Sequence, residues 1–221
     1  MFKNKTIAFL GDSITLGYAL ADRTKRFPTI LSERLGSIEE NYGITGTLVA
    51  KAGLSKEDET SYIVRIANTD NAEYAVVFGG TNDYFHSDMP IAPEGESEDI
   101  GYFSVALSKI CEHLLAHHEK NKILLVTPYP HNGIGNFKGG EHFRDKNRHD
   151  TTEINFNGFV LKDYVDKIVE IANKYDIPVL DLYNGSDFDW KTQTVDGCHP
   201  NDEGHVWLAD KIEKKLYELA K

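Results

Sequence analysis

Thr6-Ile7-Ala8-Phe9-Leu10-Gly11-Asp12-Ser13-Ile14-Thr15 holds an apolar run of strand length that stops at a glycine. Two small polar residues follow before a helical pattern begins. Ser13 therefore falls between the carboxyl end of a strand and the start of a helix. Working outward, runs of strand length that are nearly continuous in β-branched or aliphatic residues recur at 45–50, 74–79, 122–127 and 177–182. Such runs mark strands buried on both faces. Helical spacing of apolar residues fills the intervals at 28–35, 60–68, 102–118, 156–175 and 202–220. Five strand–helix alternations predict an α/β fold: a five-stranded parallel, flavodoxin-like sheet inside a three-layer α/β/α sandwich. No repeat or linker interrupts the chain, so residues 1–221 are expected to form one domain.

The composition is that of a globular protein, with 40% hydrophobic and 27% charged residues in 221. A formal net charge of −11 opposes binding to nucleic acid or to an anionic membrane surface. Only Cys111 and Cys198 are present, far apart and without metal-ligand spacing, which fits a reducing compartment. The apolar run near the amino terminus is too short for a signal segment or a membrane span. A cytoplasmic location is the expectation, or a secreted one if a leader has been removed. A homo-oligomer is compatible with the sequence.

In an open α/β sheet, ligands bind at the carboxyl ends of the strands, and backbone N–H groups at a helix start suit developing negative charge. Ser13 at that edge can be a nucleophile, or Asp12 and Ser13 can simply cap the helix. A serine nucleophile needs a base, and the base an orienting acid. Asp196-Gly197-Cys198-His199 puts a carboxylate three residues before a histidine on a loop. A second pair at the same spacing, Asp202 and His205, falls in the first turn of the last helix, where Asp202 suits a cap. The expected third strand ends in Gly79-Gly80-Thr81-Asn82-Asp83, where Asn82 can aim a side-chain N–H at the Ser13 edge. Gly53, after the expected second strand, would let backbone approach a ligand.

These residues resemble the GDSL-type, or SGNH, hydrolase superfamily of esterases and lipases. Gly11-Asp12-Ser13-Ile14-Thr15 is similar to the family's first block, with Ser13 as nucleophile. Gly53 is similar to the glycine of the second block. The family usually carries an asparagine shortly before that glycine, and here the neighbour is Lys51. Gly80-Thr81-Asn82-Asp83 is similar to the third block, and Asp196 to Asn201 to the last. The continuation Asn201-Asp202-Glu203-Gly204-His205 is also family-like and favours Asp196–His199 over Asp202–His205. The resemblance implies a catalytic triad of Ser13, His199 and Asp196. It also implies an oxyanion hole of the Ser13 and Gly53 N–H groups and the Asn82 side chain. No Gly-x-Ser-x-Gly elbow is present.

The expected activity is that of a serine esterase acting on a small-molecule ester. The acidic chain favours a polar substrate with a small acyl group, such as an O-acetylated carbohydrate. The same resemblance covers lysophospholipases, thioesterases and acyltransferases. The readings from other classes are a catalytically silent binding module that keeps the fold and an unrelated flavodoxin-like module that binds a nucleotide or flavin. No cofactor is implied. His131, His142 and His149 with Glu141, Asp145 and Asp150 match no common ligand motif, so no metal site is expected. Asp12, Tyr84, Tyr129 and Trp190 are candidate substrate-lining residues. The long connections 84–100 and 128–155 are expected to wall or cover the pocket.

Overall fold

The computed structural model describes residues 1–51, 58–85, 89–92, 97–132 and 151–221. Five parallel strands form one sheet in the order β2-β1-β3-β4-β5. They are β1 (Thr6–Gly11), β2 (Ile38–Gly43), β3 (Tyr74–Phe78), β4 (Ile123–Val126) and β5 (Val179–Leu180). The order reverses between β1 and β3, which opens a crevice at the carboxyl edge beside Ser13.

Alternation along the strands divides the core into two apolar layers. Ala75, Val77, Ile123 and Leu125 face a cluster with Ala106, Ile110 and Leu114 of α5 (Phe103–His117) and Tyr164 and Ile168 of α6 (Leu161–Tyr175). Val76, Phe78, Leu124 and Val126 face the other way. There they meet Phe27 and Leu31 of α2 (Phe27–Leu35) and Leu208 and Ile212 of α8 (Asp202–Leu219). Helices on both faces complete the expected three-layer sandwich. The remaining helices are short: α1 (Ser13–Leu16), α3 (Tyr62–Arg65), α4 (Thr81–Phe85) and α7 (Trp190–Gln193).

The second strand is a correction. It is Ile38–Gly43 rather than 45–50, which lies in turns and irregular chain. Strand β2 pairs only with β1 and is an edge, so it carries Glu39, Glu40 and Asn41 instead of a continuous apolar run. Leu48, Val49 and Ala50 are apolar for another reason. They are buried in the first core layer, and the backbone N–H groups of Val49 and Ala50 donate to the Asp83 carboxylate at 2.9 and 3.0 Å. The expected helix at 60–68 is a single turn, α3, continued by a 3₁₀ segment, Ile66–Thr69.

Candidate active site

Strand β1 delivers Ser13 to the crevice through a turn that only glycine allows. A Cβ at Gly11 would collide with the Thr15 side chain one turn along. Asp12 caps α1, its Oδ1 accepting the Ile14 N–H at 2.9 Å. The cap reading of Asp12 therefore holds, and it leaves the Ser13 side chain uncommitted to capping. Ser13 is 6% exposed.

His199 arrives on the loop between α7 and α8. Its Nε2 lies 3.0 Å from Ser13 Oγ, and its Nδ1 lies 2.7 Å from Asp196 Oδ2. The other Asp196 oxygen accepts the backbone N–H groups of Cys198 and His199 at 3.0 and 2.7 Å. Burial alone would raise the Asp196 pKa. The hydrogen bond and charge of His199, with those two N–H groups, outweigh it and hold the carboxyl below the usual range.

The loop is pinned on every side. Thr194 and Pro200 form an isolated antiparallel bridge. The Val195 N–H donates to His199 O at 2.8 Å. Tyr129 donates its hydroxyl to Cys198 O at 2.7 Å. Gly197 takes a left-handed φ of 94° and donates its N–H to Thr194 Oγ1.

Asn82 lies in the first turn of α4, shortly after β3 ends, and is buried. Its side-chain NH₂ donates to Thr47 O at 3.1 Å and, more weakly, to Asp12 Oδ2 at 3.3 Å. The amide is thus held between the Ser13 turn and the chain beyond β2. Gly53 lies outside the described residues.

Beneath the site lies a buried layer of ionisable side chains, Asp12, Arg65 and Asp83, of which the sequence reading missed Arg65. Arg65 of α3 donates to the carbonyls of Thr60, Tyr42 and Gly11 and to Thr47 Oγ1. It fastens the ends of β1 and β2 together through their backbones. Burial pushes Asp12 up to about 6, against the opposing Ile14 N–H and the charges of His199 and Arg65. Burial pushes Asp83 up to about 7, and the neighbouring Asp12 adds to the rise while backbone N–H groups oppose it. The spacing of these residues carries no motif. Asp12 and Asp83 fall in the family-like first and third blocks, and Arg65 falls in none.

Among the expected lining residues, Asp12 is at the site. Tyr84 and Tyr129 are instead core residues with essentially no accessible surface, and Tyr84 donates its hydroxyl to Glu153 O. Trp190 is half-buried, packed against the second core layer. Tyr18 is an aromatic at the site that the sequence did not single out. Its ring centroid is 4.7 Å from that of His199, and it is 38% exposed. His205 stands apart from the triad geometry. Its Nδ1 accepts the Phe27 N–H at 3.2 Å, its ring stacks on Phe27, and burial lowers its pKa to about 4.

The loop histidine cluster divides at the boundary of the described residues. His131 is buried, and burial pulls its pKa down to about 3. Glu141, His142, Asp145, His149 and Asp150 lie outside the described residues, as does most of the connection expected to cover the pocket. Among the described residues, no helix is long and apolar enough to cross a membrane.

Residues 9–207 match the family model of the GDSL-like Lipase/Acylhydrolase family. The fold is similar to that of a Lactobacillus plantarum protein, with 26% identity, 99% of each chain covered and a TM-score of 0.78. It is also similar to a possible lipase from Chitinophaga pinensis, with 20% identity, 98% of this chain and 99% of that chain covered, and a TM-score of 0.68. An alpha/beta hydrolase enzyme from the Lake Arreo metagenome shares 17% identity, with 99% of this chain and 98% of that chain covered and a TM-score of 0.64. No curated protein matches.

Proposed function

The chain belongs to the GDSL-like Lipase/Acylhydrolase family, and from that premise we propose that it is a serine esterase with Ser13, His199 and Asp196 as its catalytic triad. One observation carries the reading: the unbroken relay from Ser13 Oγ to His199 Nε2 at 3.0 Å and from His199 Nδ1 to Asp196 at 2.7 Å. Both distances are within hydrogen-bond reach for a nucleophile, its base and the base's orienter.

In this mechanism Ser13 Oγ attacks the ester carbonyl while His199 Nε2 takes its proton. Asp196 holds the Nδ1–H tautomer and stabilises the imidazolium that forms. The tetrahedral intermediate collapses as His199 returns the proton to the leaving alcohol. Water, activated by the same histidine, then clears the acyl-enzyme.

The Ser13 and Gly53 N–H groups and the Asn82 side chain are the proposed donors to the oxyanion. Of the two Asn82 contacts, the 3.3 Å one to Asp12 is the weaker and the one that a substrate oxygen would take over. The pinning of Asn82 by Thr47 keeps the donor in place before charge develops, which is where such electrostatic catalysis gains its size.

The proposed substrate is a short acyl ester of a polar alcohol, an O-acetylated carbohydrate above all. The acidic net charge disfavours anionic lipid surfaces. The half-exposed Tyr18 ring beside His199 offers an apolar face on which a sugar ring can stack.

The test is an acyl-length series of nitrophenyl esters, followed by acetate release from acetylated sugars with and without an added acceptor alcohol. The reading requires the highest kcat/KM at two to four acyl carbons and free acetate as the main product. A maximum at long chains would indicate a lysophospholipase-like or thioesterase-like preference, and dominant transfer to the acceptor an acyltransferase.

A further inference from the structure

At the opposite, amino-terminal edge of the sheet, three side chains converge that the esterase reading does not use. His113 and His117 stand one turn apart at the end of α5, so they share a face. Asp70 lies in the turn that leads into β3. One ligand atom from each lies within 4.8 Å of the other two. His113 Nε2 is 2.7 Å from Asp70 Oδ1, and His117 Nε2 is 3.6 Å from Asp70 Oδ2. The two imidazoles are stacked, with ring centroids 4.3 Å apart and planes 22° from parallel.

The tautomer of His117 is fixed by its other nitrogen. His117 Nδ1 lies 2.9 Å from the carbonyl oxygen of His113, and a carbonyl can only accept, so Nδ1 carries the hydrogen. A neutral His117 therefore aims a bare Nε2 lone pair at a carboxylate oxygen. Two acceptors face each other there, and the arrangement is favourable only with positive charge between them. A backbone carbonyl holding the far nitrogen is also the usual support of a metal-ligating histidine.

We propose that Asp70, His113 and His117 form a binding site for a divalent transition-metal ion of the zinc, cobalt or nickel type. Two imidazoles and one carboxylate suit these ions and not magnesium or calcium, which take oxygen ligands. In a tetrahedral site with metal–ligand distances of about 2.0–2.1 Å, donors stand roughly 3.3 Å apart. With one donor atom taken from each residue, the three lie within 4.8 Å of one another, so side-chain rotations that draw them together by up to about 1.5 Å admit the ion.

Binding displaces the proton that His113 Nε2 shares with Asp70. His117 is 40% exposed on its side chain, leaving an entry path and a fourth position for water. The ion would tie the end of α5 to the turn before β3, far from Ser13. The adjacent His118 is buried and is not one of the three converging side chains.

The test uses the full chain, stripped with chelator and titrated with Zn²⁺ by calorimetry and with Co²⁺ by visible absorption. The expected result is one equivalent bound at micromolar Kd or tighter, weakening as pH falls through the histidine range. Asp70→Asn, His113→Gln and His117→Gln should each weaken binding by roughly tenfold or more. They should also abolish the Zn²⁺-dependent rise in Tm while keeping ester turnover at the parent level, which shows that the variants fold. His142→Gln and His149→Gln are the comparison variants. Three outcomes would each overturn the proposal: no saturable binding by the parent below about 100 µM, unchanged affinity in the three variants, or loss of binding only in the two comparison variants.

Discussion

Ser13 Oγ lies 3.0 Å from His199 Nε2, although 186 positions separate them in the chain. The first strand brings one and the entry to the last helix brings the other. The hydrogen bonds that fix each loop are local: the Asp12 cap at one end, and the Asp196 and Thr194 contacts at the other. The core sets the separation and the caps set the aim. Changes at the site should therefore alter chemistry with little effect on folding, and changes below it should do the reverse.

Asn82→Ala tests the oxyanion role. If its NH₂ matters most once charge has formed on oxygen, kcat should drop about 100- to 1,000-fold, equivalent to about 3–4 kcal/mol, with KM changed by only a few-fold. Steady-state kinetics on nitrophenyl acetate reads both. A rise in KM at constant kcat would assign Asn82 to ground-state binding.

His199 and His205 should separate cleanly. His199→Gln should lose nearly all turnover. His205→Asn, which keeps an acceptor for the Phe27 N–H, should keep turnover and change the stability profile. The His205 pKa is lowered on folding from the ordinary 6.5 to about 4, so its stabilising contribution is complete above 6.5 and lost as pH falls toward 4. Urea midpoints from pH 4 to 7 should show a shallower acid decline in His205→Asn than in the parent. An equal decline would place the acid sensitivity elsewhere.

Asp83 should act in the opposite direction. Its folded pKa is raised from 3.8 to about 7. The folded state therefore favours the protonated form, and stability from this group declines as pH rises from about 4 to 7. Asp83→Asn removes that titration and should flatten this component. Asp83→Ala should cost more, about 2–5 kcal/mol, because the Val49 and Ala50 N–H groups lose their acceptor in a buried setting. Denaturant unfolding of the two variants over this pH range checks both the sign and the order.

Tyr18→Ala should leave kcat on nitrophenyl acetate nearly unchanged and raise KM for an acetylated sugar roughly two- to tenfold, the scale of one aromatic contact. Equal effects on both substrates would make Tyr18 a packing support for the His199 ring instead.

The motif blocks were legible because each is contiguous. Gly11 to Thr15, Gly80 to Asp83 and Asp196 to Asn201 carry their own turns and caps, so local sequence declares them. The parallel sheet was legible in its central strands, where both faces are buried. Strand β2 was not, since an edge strand has no need of apolar residues on both sides, and the apolar segment 48–50 served the core as irregular chain. Tyr84 and Tyr129 follow strand ends, as lining residues do, yet their rings turn inward. Asp70 lies 43 positions from His113, and Arg65 reaches carbonyls from three separate segments. No spacing rule connects such partners before the chain is folded.

The most direct measurement of the central claim is fluorophosphonate labelling of the parent, Ser13→Ala and His199→Gln proteins, with peptide mapping and parallel assay of nitrophenyl acetate hydrolysis. The account requires one label per parent chain, on the Ser13 peptide. It requires none in Ser13→Ala, strongly slowed labelling in His199→Gln, and turnover lost in step with labelling. A label on another residue, or turnover in Ser13→Ala within about tenfold of the parent, would contradict Ser13 as the nucleophile.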